Sequence, residues 1–352
     1  MQAITEIIVE GKVLSRVVSG TDPAGVAGFL EDYRKVWMVF DTNVATHAAR
    51  IEDALRQSGK LVAALPLNVS EESKTIETVL SLEDWLLATG ADRDALLLAV
   101  GGGITTDMAG FAASVYKRGI RFAFVPTTLL AQVDAAIGGK TGVNFHSLKN
   151  MLGVIRQPDF TYICPEVLET LPARDFRSGA AEMLKTFIIE DGGNYEKAVR
   201  VLSDIAAGAS IASHRNELQQ LISAAAAVKA GVVSRDQFES GERRKLNLGH
   251  TFAHGIEWKA REAGSDITHG EAVAIGIIQA AKLTDKALAG RLQSDFSKAG
   301  LPTELPFPLE SLADAMLKDK KAEGGKVHFV LIRSIGDVYT EDMTVAEAIA
   351  KL

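Results

Sequence analysis

The stretch DALLLAVGGGITTD (94–107) joins a continuous apolar run to three glycines and then to the start of a helical pattern. A fully apolar run of this length is typical of a strand that is buried on both faces, as in a parallel sheet. Glycines allow a backbone to approach a pyrophosphate closely, and a helix that begins there favours negative charge at its N-terminus. The stretch therefore predicts a strand, a tight turn and a helix, in an order suited to binding a phosphate group.

Further strands and helices alternate on either side of this stretch. KVWMVFD (35–41), KLVAALPL (60–67) and RFAFVPT (121–127) have strand composition, and helical patterns separate them. Such alternation predicts a doubly wound parallel sheet of the α/β class. From about residue 176 helical patterns dominate. We therefore predict a Rossmann-like nucleotide-binding domain over residues 1–175 and an all-helical domain over 176–352, with a cleft for a substrate between them.

The composition of the 352 residues is that of an ordinary globular protein, with 47% hydrophobic and 24% charged residues. A net charge of −7 argues against nucleic acid as a partner. The sequence lacks an apolar run of membrane-spanning length, and its start lacks the pattern of a signal peptide. The single cysteine, Cys164, cannot form an internal disulfide, so we expect a cytoplasmic protein.

Two features near the glycine-rich turn allow more than one interpretation. The spacing of that turn is not G-x-G-x-x-G, so a tight turn without a ligand stays open. Asp41, at the end of a predicted strand, suits either a ribose hydroxyl or a helix N-cap.

The stretch AAIGGKTG (135–142) imitates a phosphate loop, but Asp134 stands where that motif needs glycine, so an NTPase is not expected. Lys140 is then either a cation on a flexible loop that reaches for a ligand or a solvated lysine.

Two histidines lie close together in LNLGHTFAHGIEW (246–258). His250 and His254 are four residues apart, so a helix would place both imidazoles on one face. A zincin protease would have glutamate directly after the first histidine, where this chain has Thr251. The spacing alone does not decide which of the two histidines binds a metal.

Two more candidate ligands come from other parts of the chain. His269 begins the helical stretch HGEAVAIG, and Glu182 lies on an apolar helical face in SGAAEMLK. Three protein ligands with one open position are typical of a catalytic metal site. The alternative for each residue taken singly is structural, with His254 packed in the core and Glu182 at a helix surface.

Five blocks of the sequence, in order, resemble the 3-dehydroquinate synthases. They are GGGITTDMAGFAASVYKRG, FVPTTLLAQVDAAIGGKTGVN, SGAAEMLK, LNLGHTFAHGIE and HGEAVAIG, and the resemblance runs from about residue 40 to about 330. It implies an NAD-binding N-terminal domain, a helical metal-binding C-terminal domain and a homodimer. One departure is Thr106, because the family commonly has glycine directly before the aspartate of the glycine-rich loop.

The same resemblance implies site residues. The implied metal ligands are Glu182, His250 and His269, for Zn²⁺ or Co²⁺, while His254 acts on the substrate phosphate and in proton transfers. The implied NAD-binding residues are Asp41, Asn43, Glu71, Lys74, Gly102, Gly103, Asp107, Thr127, Thr128, Lys140, Lys149 and Thr170. The implied substrate-binding residues are Arg118, Asp134, Lys140, Lys149, Asn150, Lys229, Arg243, Asn247, His254 and Lys320. Arg118 is implied to reach into the site of the partner subunit.

The reaction implied by the resemblance converts 3-deoxy-D-arabino-heptulosonate 7-phosphate to 3-dehydroquinate and phosphate, the second step towards chorismate and the aromatic amino acids. It combines transient oxidation by NAD, β-elimination of phosphate, reduction, ring opening and an intramolecular aldol reaction. Antibiotic-pathway cyclases are one alternative, but their substrates lack the carboxylate that Lys229 and Arg243 would bind. An amino-dehydroquinate synthase would keep that carboxylate, so it is harder to exclude.

Two further alternatives lie outside the sugar-phosphate cyclases. A metal-dependent polyol dehydrogenase of the glycerol dehydrogenase kind would not need the phosphate-binding set, which includes Lys140, Lys149 and Asn247. A nucleotide-binding regulatory module, which is not an enzyme, would not explain metal ligands beside a cluster of basic residues. Net production of NADH would identify the dehydrogenase, and the absence of turnover with zinc and NAD would identify the module.

Overall fold

The computed structural model describes residues 2–146, 148–319 and 326–352, and in it the chain forms two compact units. The first unit contains Met1–Leu171 and Lys229–Gln237, and the second contains Pro172–Val228 and Phe238–Leu352. The sequence pattern placed a single division near residue 175. It gave no sign that a short later segment returns to the first unit.

Strands and helices alternate through most of the first unit. They are β1 Gln2–Val9, β2 Lys12–Ser19, β3 Val36–Asp41, α1 Ala45–Gln57, β4 Leu61–Leu67, α2 Ile76–Ala88, β5 Leu96–Gly101, α3 Gly103–Val115, β6 Arg121–Pro126, β7 Lys140–Phe145, β8 Leu148–Ile155 and β9 Phe160–Ile163. Seven of these strands form one sheet in the order β1-β2-β9-β6-β5-β3-β4, and all neighbours except β1 and β2 are parallel. The predicted doubly wound parallel sheet is therefore confirmed.

Apolar side chains cover both faces of this sheet, as the continuous apolar strands predict. Leu97 and Ala99 of β5 pack in a core cluster that includes residues of α2 and α3. Leu96 and Leu98 of the same strand pack in a second cluster with residues of α1. Because successive side chains of a strand point to opposite faces, β5 contributes to two cores and is buried along its whole length.

The region around Lys140 differs from the expected flexible loop. Lys140 is the first residue of β7, which pairs antiparallel with β8 in a separate two-stranded hairpin. Gly142 and Gly153 are partners in this hairpin, and a Cβ added to Gly142 would lie 2.5 Å from the Leu152 carbonyl oxygen. The hairpin can close here because both partners lack side chains, and composition alone did not reveal this pairing.

The second unit is predominantly helical. Its elements are α4 Ala173–Ile189, α5 Gly192–Ala206, α6 Arg215–Arg235, whose last seven residues belong to the first unit, α7 His250–Glu262, α8 His269–Lys282, α9 Lys286–Lys298, α10 Leu309–Asp319, β10 Val327–Ser334, β11 Asp337–Met343 and α11 Val345–Lys351. The strands β10 and β11 form an antiparallel hairpin, so the unit is helical apart from this ribbon. None of the described helices is long and apolar enough to cross a membrane.

Candidate nucleotide and metal sites

Several residues implied to bind NAD follow the carboxyl ends of parallel strands in the first unit. Asp41 ends β3, Gly102 directly follows β5, and Thr127 directly follows β6, and these three strands are neighbours. From β3 the chain forms β4 on one side and then β5 on the other, so the strand order reverses here. Open parallel sheets bind ligands outside the carboxyl ends of the strands at such a reversal. The topology thus brings these residues to one edge of the sheet.

The backbone at this edge offers room and hydrogen-bond donors for an anion. The 13-residue helix α3 begins at Gly103, with Gly102 as its N-cap, so its first amides have no partner within the helix. A Cβ added to Gly102 would lie 3.0 Å from the methyl carbon of Thr128. The buried Thr127 hydroxyl has no hydrogen-bond partner among the described residues. A phosphate-containing nucleotide fits this combination of open donors and absent side chains.

Thr106, the departure from the family pattern, is accommodated within α3. Its side chain is buried, and its hydroxyl donates to the Gly103 carbonyl oxygen at 3.0 Å. A threonine hydroxyl commonly bonds back to the preceding turn of its own helix. The extra side chain is therefore held against the preceding turn of its own helix, and it leaves the glycine-rich turn open.

Polar residues beside α3 form one connected network. Lys74 Nζ lies 2.6 Å from Asp107 Oδ2 and 2.5 Å from Asn150 Oδ1. Asn144 links this group to Glu71, because its amide nitrogen donates to Glu71 Oε1 at 2.9 Å and its oxygen accepts from the Asn150 backbone amide at 2.9 Å. Burial raises the pKa of Asp107 to about 6, although the Lys74 charge acts to lower it. The sequence did not identify Asn144, which lies in the unpredicted hairpin.

The other first-unit candidates have varied surroundings. Lys229 is buried, and its Nζ lies 2.6 Å from both the carbonyl and the carboxylate oxygen of Asp134. Asp41 Oδ1 accepts from the Asn43 amide at 2.9 Å, which is the N-cap contact considered as an alternative. Thr170 Oγ1 lies 2.9 Å from the His47 ring. Arg118, Lys140 and Lys149 are exposed, whereas Lys320 falls outside the described residues.

The second unit brings Glu182, His250 and His269 together. One ligand atom from each residue lies within 4.8 Å of the others. Glu182 Oε1 is 3.4 Å from His269 Nε2 and 3.9 Å from His250 Nε2. Ligands about 2.1 Å from a tetrahedral ion are about 3.4 Å apart, so this spacing fits a metal of zinc size. Glu182 lies within α4, and the two histidines begin α7 and α8.

The two histidine rings are held with the same nitrogen towards Glu182. His250 Nδ1 lies 3.1 Å from the Leu248 carbonyl oxygen, which can only accept, so this nitrogen carries the hydrogen. His269 Nδ1 lies 3.3 Å from Glu257 Oε1. Metal-binding histidines commonly have such a partner on the second nitrogen, because it fixes the ring and the tautomer. Both Nε2 atoms therefore face the carboxylate as metal ligands would.

Lys185, also fully buried, completes the surroundings of the Glu182 carboxylate. Its Nζ lies 2.5 Å from Glu182 Oε2, while Oε1 accepts no hydrogen bond from the described residues. Burial by itself would raise the pKa of Glu182, but the Lys185 charge and the two imidazoles hold it well below its ordinary value. The signal in the sequence was a lysine three residues after the glutamate on an apolar helical face. The carboxylate is thus ionised and available to a cation.

The histidine His254 and the basic stretch before His250 also lie in this unit. The ring centroids of His254 and His250 are 5.5 Å apart, and the role of His254 away from the metal stays a prediction. Arg243 is only 2% exposed, so it is buried and is not a solvated surface arginine. Arg244 is partly exposed, with its guanidinium 3.4 Å from His328 Nε2. Asn247 Nδ2 donates to Glu239 Oε1 at 2.8 Å.

Residues 64–178 match the family described as 3-dehydroquinate synthase N-terminal, and residues 179–322 match the family described as 3-dehydroquinate synthase C-terminal. A 3-dehydroquinate synthase of Pyrococcus abyssi is 45% identical over 276 residues, which cover 78% of this chain and 79% of the relative. Together these matches extend over both compact units and include all three residues of the candidate metal cluster.

Solved structures of similar fold come from related enzymes. A 2-deoxy-scyllo-inosose synthase complexed with carbaglucose-6-phosphate, NAD⁺ and Co²⁺ has a TM-score of 0.85 and 26% identity, covering 99% of this chain and 98% of that one. A 2-epi-5-epi-valiolone synthase from Streptomyces hygroscopicus, with NAD⁺ and Zn²⁺ bound, has a TM-score of 0.84 and 28% identity, covering 100% and 97%. With the family matches and the curated relative, these likenesses lead to one conclusion. The chain is an enzyme that belongs to the 3-dehydroquinate synthase family.

Proposed function

We propose that this enzyme is itself a 3-dehydroquinate synthase that converts 3-deoxy-D-arabino-heptulosonate 7-phosphate to 3-dehydroquinate and phosphate, in the second step towards chorismate and the aromatic amino acids. It would be a lyase that depends on NAD and on Zn²⁺ or Co²⁺. The observation that carries the proposal is the group formed by the buried Glu182 and the partly exposed His250 and His269, whose ligand atoms lie within 4.8 Å of one another. The family membership supplies the substrate.

The residues present fit both cofactors. Glu182 Oε1 and the Nε2 atoms of His250 and His269 would hold the metal, and Lys185 balances the second carboxylate oxygen. The first amides of α3 and the Thr127 hydroxyl would bind the nucleotide. When bound, NAD supplies a reversible hydride acceptor and the metal supplies a Lewis acid.

Arg243 supports a substrate that carries a carboxylate. A guanidinium can bind a carboxylate through two parallel hydrogen bonds, and a buried one binds it with little competition from water. Asn247 and His254 are the second-unit residues proposed to act at the substrate phosphate, and Lys140 and Lys149 are the proposed cations of the first unit. Because the whole chain carries a net charge of −7, an anionic substrate needs such local positive groups.

The proposal includes a homodimer in which Arg118 reaches the site of the partner subunit. Its support is the exposure of Arg118, which lies three residues after the end of α3 and has a positive φ of 69°. The proposal also places the reaction in the cytoplasm. The lack of a second cysteine, which excludes an internal disulfide, supports that location.

The test is the reaction itself, followed with purified protein, a trace of NAD and a stoichiometric amount of Zn²⁺ or Co²⁺. We expect phosphate release from 3-deoxy-D-arabino-heptulosonate 7-phosphate in an amount far above that of NAD, without accumulation of NADH. A heptulose phosphate that lacks the carboxylate should react poorly, and glycerol should not yield NADH. Equal turnover of the carboxylate-free substrate would favour an antibiotic-type cyclase, and net NADH from glycerol would favour a polyol dehydrogenase.

A further inference from the structure

The start of α8, where His269 lies, is held by an arginine from α4. Arg174 Nε donates to Glu271 Oε1 at 3.0 Å, and Nη2 donates to Oε2 at 2.8 Å. The same guanidinium donates to the Asp266 carbonyl oxygen at 2.7 Å and pairs with the Asp266 carboxylate. Arg174 therefore binds Asp266, three residues before His269, and Glu271, two residues after it.

Glu271 also takes part in the cap of α8. The Thr268 amide donates to Glu271 Oε2 at 2.8 Å, and the Glu271 amide donates to Thr268 Oγ1 at 3.3 Å. These reciprocal bonds form a capping box, which fixes the backbone on both sides of His269. Since Arg174 binds both carboxylate oxygens of Glu271, it fixes the orientation of the side chain on which the cap depends.

A second contact between α4 and α8 lies one turn further along α4. Ser178 Oγ accepts from the Gly270 amide at 3.0 Å. A Cβ added to Gly270 would fall on the Ser178 carbonyl group, so the two backbones approach as closely as glycine allows. Arg174, Ser178 and Glu182 are spaced four residues apart and share one stripe of α4. The helix that carries one candidate ligand thus sets the backbone beside another.

We propose that Arg174 is a positioning residue for the metal site, acting on His269 through Glu271 and the cap of α8. This inference rests on the proposed metal-dependent function. The distance of 3.4 Å between His269 Nε2 and Glu182 Oε1 depends on where α8 begins relative to α4. Without Arg174, the segment from Asp266 to Glu271 keeps the Thr268–Glu271 cap and the Gly270–Ser178 contact, but it loses the guanidinium that ties it to the start of α4. His269 should then no longer be held at ligand distance.

The experiment compares metal binding by Arg174→Ala, Arg174→Lys and the wild-type protein. Apparent Kd for Zn²⁺ is measured by competition with a chelator, and the visible absorption of the Co²⁺-loaded protein reports the ligand geometry. We expect Arg174→Ala to bind Zn²⁺ about 10-fold to 100-fold more weakly, as is typical for groups that orient ligands. Arg174→Lys should recover only part of the affinity, because an ammonium cannot reproduce two parallel bonds.

Arg291→Ala is the matched control. Arg291 pairs with Glu196 between α9 and α5, which carry none of the three ligands, and it is about as exposed as Arg174. This variant should keep wild-type Kd and an unchanged Co²⁺ spectrum. Thermal unfolding of each metal-free protein shows whether a variant is merely less stable. Ser178→Ala, which removes the hydrogen bond to the Gly270 amide, should also weaken Zn²⁺ binding.

The outcomes separate the two proposals. If the wild type binds Zn²⁺ tightly and Arg174→Ala matches it in Kd and Co²⁺ spectrum, the positioning role is wrong even when the variant is less stable. If Arg174→Ala does not fold, Arg174→Lys decides, because wild-type affinity and spectrum there would contradict the need for the fork. If the wild type binds neither metal, the proposed function fails together with this inference.

Discussion

The two candidate sites of this molecule are built in opposite ways. At the carboxyl edge of the sheet, charged side chains are paired with each other, as Lys74 is with Asp107 and Lys229 is with Asp134, and the backbone offers the open groups. In the helical unit, the Glu182 carboxylate faces two imidazoles, and its Oε1 accepts no hydrogen bond among the described residues. In the first site the charged side chains neutralise one another, whereas in the second a buried carboxylate oxygen is left for a cation.

This difference teaches where each site depends on its ligand. A buried polar atom without a partner costs free energy, and a bound cation would remove that cost. Metal should therefore bind the folded helical unit tightly and stabilise it by mass action. The predictions below are ordered from the largest expected effect to the smallest, and each tests one side of the contrast.

Replacing Glu182 with glutamine should have the largest effect. The amide keeps the shape of the side chain but removes the anionic ligand and the charge opposite Lys185. A metal that acts as a Lewis acid stabilises the transition state by several kcal/mol. A stabilisation of about 4 kcal/mol corresponds to about a thousandfold in rate. We expect Glu182→Gln to lose bound metal and at least that much activity, while its affinity for NAD stays near wild type. Stoichiometric Zn²⁺ in the purified variant would show that the carboxylate is not a ligand.

Arg243 sharpens the comparison within the helical unit, because it is a buried cation proposed for the substrate and not for the metal. Truncating one partner of a buried charge pair costs about 2–5 kcal/mol, which is about 30-fold to several thousandfold in kcat/KM. Arg243→Ala should show this loss and keep metal and NAD binding. Arg244→Ala is the control, because Arg244 is partly exposed. Equal kinetics for the two variants would remove the argument for a carboxylate-bearing substrate.

Lys74→Met tests the paired character of the sheet site. It leaves the Asp107 carboxylate without its partner at 2.6 Å, and breaking a buried pair costs about 3 kcal/mol in the free energy of unfolding. The pKa of Asp107 is already raised by burial to about 6, and losing the Lys74 charge raises it further. When the pKa of a carboxyl group is higher in the folded state than in the unfolded state, the free energy of unfolding falls as pH rises from the unfolded pKa, near 4, through the folded pKa.

From about pH 4 to pH 6, Asp107 is largely protonated in both folded proteins, so the destabilisation by Lys74→Met should be smallest there, and it should grow as pH rises above 6 towards the higher pKa of Asp107 in the variant. Urea unfolding over this pH range measures it, and the double variant Lys74→Met with Asp107→Asn should remove the added pH dependence. A loss of stability that does not vary with pH would mean that Asp107 is not the group left uncompensated.

The smallest effect is expected at Thr106. Its hydroxyl bonds back within α3, so the side chain does not occupy the glycine-rich turn. Thr106→Gly, which restores the common family residue, should change the Kd for NAD by less than about threefold. Glycine inside a helix, together with the loss of a buried side chain, should lower the free energy of unfolding by roughly 1–2 kcal/mol. A large gain in NAD affinity, measured by titration, would show that Thr106 obstructs the site.

The sequence predicted the sheet better than it predicted the helical site, for a physical reason. A parallel strand, its turn and its helix are contiguous, so DALLLAVGGGITTD carries the whole local pattern. The hairpin of β7 and β8 was missed, because its pairing depends on Gly142 facing Gly153 and not on apolar alternation. Its consequence was that Asn144, which links Glu71 to Asn150, was missed as well.

The metal cluster illustrates the limit of spacing. The i, i+4 pair of His250 and His254 could not be divided into ligand and neighbour, because the choice depends on where Glu182 lies in another helix. Family resemblance supplied the choice, and the structure brings Glu182, His250 and His269 together. Lys185 was placed near Glu182 but given no role, and Glu257 was missed, because their importance comes from contact with Glu182 and His269 in the folded chain.

The most direct test of the central claim is the metal content of His250→Ala beside that of His254→Ala. Both changes remove one imidazole from the same face of α7, so they are matched in chemistry and position. We predict that His250→Ala retains almost no Zn²⁺ after dialysis, whereas His254→Ala retains one equivalent per chain and still binds NAD. Tight stoichiometric Zn²⁺ in His250→Ala, or loss of the metal in His254→Ala, would contradict the assignment of Glu182, His250 and His269 as the ligands.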